Sequence, residues 1–290
     1  MTLIYIIMIE KIGIIGGTGK MGSSFKKKFE KIGHNVFISD ETSKDKELEI
    51  LNTCDWIILT VPIDKTLSVF KSIKNKINKN QVFSDFTSVK SIISNELNNC
   101  SFEIVSCHPL FGPLNEFKGQ NIITIPINAS KKYSQIKDIF KKMHLNVTEI
   151  KTLDEHDNYM SLIQGMTHFS HVCFTTAMKK LNLDLDKVME ICSPIYLSNI
   201  SFSSRITGGD ENLYTNIIMD NPKNNKVLKL YLETSKKLYD QISNKNYSSF
   251  KDNFIDNRNY LKKHLSKMIK QSDFLVNKMA EFKSSSEGQK

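Results

Sequence analysis

Three groups of residues in this 290-residue chain have the type and spacing to do chemistry. The first is a glycine pattern, Gly17-x-Gly19-x-x-Gly22, in the stretch GIIGGTGKMG. It follows a short β-branched apolar run and opens a segment of helical spacing. An acid, Asp40, ends the next apolar run about twenty residues on. In that context the spacing points to a dinucleotide. Gly17 permits a tight turn, Gly19 lets the backbone approach a pyrophosphate, and Gly22 lets the helix pack on the sheet. The phosphates would sit at the helix N-terminus, where unbonded N–H groups and the helix dipole attract anions. Gly16, Thr18, Lys20 and Met21 complete this cofactor-binding stretch. Asp40 would accept hydrogen bonds from the adenosine ribose. That favours NAD, because the 2′-phosphate of NADP would meet a carboxylate; Lys44 lies near enough to keep NADP open. Val61, Pro62 and Ile63 follow the third apolar run, where cofactor contact and ordinary strand-end packing both fit.

The second group centres on His108 in SCHPLFGP. Pro109 and Pro113 restrict the backbone on its C-terminal side. The imidazole is therefore expected to be held rigidly just past a strand end, where open α/β sheets bind ligands. A neutral imidazole suits removal of a hydroxyl proton as hydride leaves carbon, so His108 is the candidate base. Ser88 lies at the neighbouring strand end; it could orient a hydroxyl or the imidazole, or cap the following helix. Cys107 reads as a small buried strand residue, since adjacent side chains on a strand point to opposite faces.

The third group is Gln164, His168 and His171, at i, i+4 and i+7 on an otherwise apolar helix. A polar stripe of this kind fits a helix lining a cleft, although packed histidines without ligands are common. In the preceding DEHD stretch the acids read as helix-start residues and His156 remains ambiguous. Only two of the 40 basic residues are Arg, Arg205 and Arg258. Where Lys is so strongly preferred, an Arg in a loop points to a need for its planar, bidentate fork.

These residues need elements to hold them. KIGIIGG, NVFISD, WIILTVP, QVFSDF, FEIVSC, NIITIPI and NVTEI read as strands, and most are separated by segments of helical spacing. This predicts an α/β, Rossmann-type doubly wound sheet with helices on both faces. From about Leu153 onward only helical patterns remain. The expected domains are therefore 1–152, dinucleotide-binding, and 153–290, an all-helical substrate-binding and dimerisation domain frayed from about 284. Residues 1–7 read as an extension before the first strand.

Composition excludes several classes. No apolar run is long enough to span a membrane, and no signal peptide pattern opens the chain. Five cysteines without paired spacing fit a reducing cytoplasm, and no zinc pattern is present, so no metal is expected. The net charge is +9, but the lysines are dispersed and form no basic face interleaved with aromatics. Nucleic-acid binding is therefore not expected, and an anionic small molecule suits the charge better.

Taken in order, IGIIGGTGKMG, DFTSVK, CHPLFGP, EHDNYMSLIQGMTHF and SPIYLSNISFSSRITGGDENLYTNIIM resemble the prephenate dehydrogenase family, from about residue 10 to about 282. The resemblance implies a Rossmann domain followed by a helical dimerisation domain. It implies NAD(P)-dependent oxidative decarboxylation of prephenate, a dicarboxylate, to 4-hydroxyphenylpyruvate in tyrosine biosynthesis. His108 matches the catalytic histidine and Ser88 the serine near it. Arg205 matches the arginine that holds a substrate carboxylate, and Gln164 and His168 match residues lining the cleft. Relatives often carry Arg after PIY, where this chain has Leu197. The sequence shows no room before the first strand for a chorismate mutase domain and no βαββαβ pattern after the last helix. Arogenate dehydrogenase is the nearest alternative. A different two-domain NAD(P) oxidoreductase and a non-catalytic dinucleotide sensor follow.

Overall fold

The computed structural model describes residues 8–98, 100–129 and 131–285. The extension expected over residues 1–7, and the last part of the frayed tail, lie outside the described residues. Contacts divide the chain into two compact units. One runs to Met160 and takes in Met219–Pro222; the other comprises Ser161–Ile218 and the chain from Lys223.

The first unit alternates strands and helices: β1 (Lys11–Ile15), α1 (Lys20–Lys31), β2 (Asn35–Ser39), α2 (Lys44–Thr53), β3 (Trp56–Leu59), α3 (Ile63–Ile73), β4 (Val82–Asp85), α4 (Ser91–Leu97) and β5 (Glu103–Pro109). β6 (Asn121–Pro126), α5 (Lys131–Lys142), β7 (Asn146–Glu149) and α6 (Leu153–Met160) follow. The seven strands form one sheet in the order β2-β1-β3-β4-β5-β6-β7. All neighbours are parallel except β5 and β6. The chain leaves β1 for β2 on one side and then crosses to β3 on the other, so the carboxyl ends of β1 and β3 flank the switch point where such sheets bind ligands.

Strand alternation divides the core into two layers. Ile15, Ile57, Leu59, Phe83 and Ile104 face one side and pack with Ile50, Phe70, Ile93, Leu153 and Met160 from α2, α3, α4 and α6. Ile12, Ile14, Trp56, Ile58, Val82 and Val105 face the other and pack with Phe25, Phe29, Ile136 and Phe140 from α1 and α5. With both faces covered, the strands read as continuous apolar runs, as parallel strands do.

Two positions differ from the expectation. His108 lies within β5 rather than past its end, opposite Ile123 of β6. Pro109 is tolerated inside the strand because β4 pairs with β5 only at Glu103 and Ile104, so no ladder partner on that side needs the missing N–H. The unit also continues eight residues beyond the expected boundary at 152, through α6 to Met160. Polar contacts from α6 to the sheet, described below, keep it there.

The second unit begins with a π-helical turn, Ser161–Met166, and continues through α7 (Thr167–Leu181), α8 (Leu185–Ile191), α9 (Pro194–Thr207) and α10 (Glu211–Asp220), whose last turn enters the first unit. α11 (Asn224–Ser243) and α12 (Tyr247–Ser284) complete it. Side-chain caps set several starts: Asp184 accepts from the N–H groups of Asp186 and Lys187, and Ser193 accepts from Tyr196 ahead of a helix with Pro194 in its first turn. No helix among the described residues is long and apolar enough to cross a membrane.

Candidate active site

The glycine loop joins β1 to α1. Gly16 has φ +85°, a conformation open to glycine, so the tight turn falls there rather than at Gly17. The N–H groups of Gly16 and Gly17 donate to the Ser39 carbonyl at 2.9 and 3.0 Å, which anchors the loop to the end of β2. Gly17 and Gly22 are glycines for want of space. A Cβ on Gly17 would lie 2.5 Å from Ile38 Cβ, and one on Gly22 would lie 2.6 Å from Gly16 O and 2.8 Å from Gly17 Cα. Thr60 Oγ1 donates to Gly16 O at 3.0 Å, and Val61 packs against the same glycine. Ile63 is buried in the core, whereas Pro62 is exposed at the start of α3.

α1 starts at Lys20 with Thr18 and Gly19 exposed before it and Met21 half-buried behind. Its N-cap, Gly19, offers no side chain, and its first turn contains no acid. The helix dipole is left for an external anion. Asp40, at the end of β2, is half-buried and accepts from Thr42 N–H (3.0 Å), Thr42 Oγ1 (2.8 Å) and Ser43 Oγ (2.9 Å). The Thr42 and Ser43 hydroxyls hold its carboxyl below the usual carboxylate range. A side-chain-free cradle, an uncapped helix start and an ionised acceptor on the adjacent strand fit the pyrophosphate and ribose of a dinucleotide.

His108 lies at the carboxyl end of β5 on the face that carries α4 and α6, while Cys107 points to the opposite face. Burial raises the Cys107 thiol to about 12, so it is not a nucleophile at neutral pH. His108 Nδ1 and His156 Nε2 are 2.8 Å apart, and His156 Nδ1 is 2.8 Å from Asp157 Oδ1. All three side chains are buried. Asp157 also accepts from the N–H groups of Lys90 (2.9 Å) and Ser91 (2.8 Å). It thereby caps α4, which has no side-chain cap of its own. The capping role open to Ser88 is filled by Asp157, and Ser88 is half-buried in the loop before Lys90.

Beneath this chain lies a wholly buried ion pair. Lys90 Nζ donates to Asp85 Oδ1 at 2.6 Å and to the Cys107 carbonyl at 2.7 Å, and Ser106 Oγ donates to Asp85 Oδ2 at 2.5 Å. Lys90 thus ties the ends of β4 and β5 together next to His108. Burial first, then the His156 and Lys90 charges, push His108 well below the ordinary histidine range. Burial likewise lowers His156, against the pull of its Asp157 hydrogen bond. Burial alone would raise the Asp157 carboxyl, but hydrogen bonds from His156, Lys90 and Ser91 outweigh it and hold it low.

In the helical unit, Gln164 belongs to the π-helical turn and His168 to the first turn of α7. The expected α-helical i, i+4, i+7 face is therefore interrupted before His168. Gly165 in this turn lets α11 approach closely, since a Cβ there would overlap the side chain of Asn224. His168 stacks edge-on to Tyr214, with ring centroids 5.0 Å apart, and its Nδ1 is buried without a hydrogen-bond partner among the described residues. Burial, then the His171 charge, lowers His168 to about 4. His171 Nδ1 lies 2.8 Å from Ser203 Oγ, whose hydroxyl donates to Asn199 O, so Nδ1 is the donor. Arg205 is exposed in the last turn of α9, not in a loop. The helix persists past it because Ser193 and Pro194 set a start early enough for 14 residues, and a cation in the last turn suits the dipole.

Residues 21–149 match the nucleotide-binding domain of prephenate dehydrogenase, and residues 152–256 match the dimerization domain of the same enzyme family. The chain belongs to the prephenate dehydrogenase family. A relative from Methanocaldococcus jannaschii, described as a probable arogenate/prephenate dehydrogenase, is 28% identical over 82% of this chain and 58% of its own length. This chain therefore spans less than two thirds of that relative. The T-protein of Haemophilus influenzae is 27% identical over 95% of this chain and 73% of its own. Among solved structures, a prephenate dehydrogenase from A. aeolicus in complex with hydroxyphenyl propionate and NAD+ shares the fold. Its TM-score is 0.65 at 16% identity, covering 91% of this chain and 99% of that one.

Within this family member, the structure brings the glycine loop, Asp40 and His108 to the carboxyl edge of one sheet. Gln164, His168 and Arg205 lie on the helical unit. The sequence reading did not find Asp85, Ser106 or the work of Lys90, His156 and Asp157. A signal for the last two was present: Leu153, His156, Asp157 and Met160 fall at i, i+3, i+4 and i+7, and these four are the buried face of α6.

Proposed function

We propose that the protein is an NAD(P)-dependent dehydrogenase that oxidatively decarboxylates prephenate to 4-hydroxyphenylpyruvate, with His108 as the base. The observation that carries this reading is a buried imidazole at the carboxyl edge of the same sheet whose β1 leads into the glycine cradle, with β3 and β4 between them. The cradle residues Gly16, Gly17, Gly19 and Gly22 would hold the pyrophosphate, and Asp40 the ribose. When bound, the nicotinamide supplies the hydride acceptor.

His108 takes the proton of the ring hydroxyl as that carbon becomes a ketone. The bond from the ring to its carboxylate then breaks and carbon dioxide leaves. The electron pair passes through the ring to the new oxygen, which recovers a proton as phenol. The gain of aromaticity makes the step irreversible. Burial keeps His108 unprotonated at neutral pH and so ready to accept. Ser88 we assign to orienting the hydroxyl or the imidazole, and Arg205 to one substrate carboxylate, for which a guanidinium fork suits a dianion. Gln164 and His168 we assign to the substrate cleft. A homodimer through the helical unit is supported by the dimerization-domain match and by exposed apolar residues such as Leu230, Tyr239, Phe254, Ile269 and Phe274 on α11 and α12.

A second reading, the same chemistry on arogenate, is favoured by the naming of both substrates for the M. jannaschii relative. Purified protein offered prephenate or arogenate, each with NAD or NADP, decides between them. Reduced nucleotide is expected with prephenate and NAD. His108→Asn should keep nucleotide binding and lose turnover by about 100-fold or more. No turnover with any pairing would reject the enzyme reading.

A further inference from the structure

The geometry points to His156 and Asp157 as a positioning pair that fixes which nitrogen of His108 accepts the substrate proton. The inference rests on the reading of His108 as the base and names what sets its tautomer.

The direction of each hydrogen bond follows from the groups present. Asp157 Oδ1 and Oδ2 already accept from two backbone N–H groups, Lys90 at 2.9 Å and Ser91 at 2.8 Å, an arrangement that uses both oxygens as acceptors and suits an ionised carboxylate. An ionised carboxylate has no proton to give, so at the 2.8 Å contact His156 Nδ1 must be the donor. A neutral imidazole with its proton on Nδ1 has a lone pair on Nε2. Across the 2.8 Å contact between the rings, His108 Nδ1 is then the donor. The proton of neutral His108 is therefore on Nδ1, and the lone pair is on Nε2.

The pair also suits the moment of proton transfer. Protonated His108 places a positive charge 2.8 Å from His156, and the Asp157 carboxylate beyond it is the nearest anion along that line. On the other side, Asp85 is already engaged by Lys90 and Ser106, so it is committed elsewhere. His156 and Asp157 touch neither substrate nor cofactor in this account; they act through His108.

The test is the tautomer itself, read by 15N NMR of histidine-labelled protein, with His108→Asn identifying the resonance. Wild-type His108 is expected as the Nδ1–H form. His156→Phe leaves Asp157 capping α4 and removes the imidazole nitrogen that accepts from His108 Nδ1. With that acceptor gone, the His108 proton is expected on Nε2. Turnover with prephenate and NAD should then fall by on the order of 100-fold or more, with the prephenate KM within about 3-fold of wild type. A wild-type His108 bearing its proton on Nε2 would overturn the inference, and that measurement needs no variant to fold. So would a His156→Phe protein, folded by its melting curve, with tautomer and kcat unchanged. A reversed tautomer with undiminished turnover would leave the positioning pair standing and reject His108 as the base.

Discussion

Replacing Lys90 by Met should cost this protein about 3–5 kcal/mol, a large share of the stability of an ordinary domain. Both Lys90 and Asp85 are fully buried, with Nζ and Oδ1 2.6 Å apart. At an effective dielectric of about 20 the attraction between them is about 6 kcal/mol, offset by the cost of taking both charges out of water. Lys90→Met removes the attraction and leaves the desolvated Asp85 carboxylate, with only Ser106 Oγ and Thr87 N–H still donating to it. The Cys107 carbonyl loses its donor as well. Adding Asp85→Asn discharges the stranded group, keeps an oxygen for Thr87 N–H and turns its NH2 to Ser106 Oγ, which can accept, so the double variant should recover about 2 kcal/mol of the loss. Urea unfolding followed by tryptophan fluorescence reports this region directly. The chain has one tryptophan, Trp56, fully buried on β3 with its Nε1 donating to Ser84 Oγ at 2.9 Å. A Lys90→Met protein within about 1 kcal/mol of wild type, or a double variant weaker than the single, would refute the argument.

The buried histidines give an acid-side dependence. His108 and His156 have folded-state pKa values below the ordinary 6.5, so below that pH the unfolded chain takes up protons that the folded one refuses. Stability should be complete above about pH 6.5 and fall as pH drops through it, by up to about 1.4 kcal/mol per pH unit for each such group. Urea midpoints that stay level between pH 7 and 5 would contradict this. In the glycine loop, Gly22→Ala sets a methyl 2.6 Å from the Gly16 carbonyl, so backbone must move. The dinucleotide KM should rise 10-fold or more with a smaller change in kcat, and wild-type nucleotide affinity in that variant would remove the loop from the cofactor's seat.

Much of this was legible from one sequence because it depends on local pattern. The apolar runs around Ile14, Ile58 and Phe83 identify parallel strands buried on both faces, and the glycine spacing before Lys20 identifies the cradle. Cys107 and His108 were separable by strand alternation alone. What escaped were pairings between residues distant in sequence. Lys90 stands at a strand end by sequence, but its bonds to Asp85 and the Cys107 carbonyl, and that of Ser106 to Asp85, exist only once β4 and β5 are set side by side. Arg205 is expected in a loop, yet the helix begun at Pro194 holds to Thr207. The π-helical turn at Ser161–Met166 has no periodic signature of its own. Nor does the sequence around Gly165 show that Asn224, 59 residues on, occupies the space a Cβ there would need.

The domain boundary shows why composition and chemistry can divide a chain differently. A reader of sequence sees helix after helix from Leu153 and draws the line there. Contacts draw it after Met160, because α6 contributes four buried residues to the sheet unit, two apolar and two polar. The polar two carry most of the consequence. Asp157 closes the start of α4 through two backbone N–H groups and, with a bond from the same oxygen that Lys90 N–H uses, holds His156. One carboxylate therefore serves a helix cap and the line of imidazoles that ends at His108. The backbone of the loop after β4 and the orientation of the candidate base cannot drift independently. Asn221, at the point where the chain briefly rejoins this unit, donates to the Asp157 carbonyl at 2.8 Å. It fixes that residue from the backbone side as the cap fixes it from the side chain. A base that must meet a hydroxyl within a few tenths of an ångström gains more from such shared constraints than from any single strong contact.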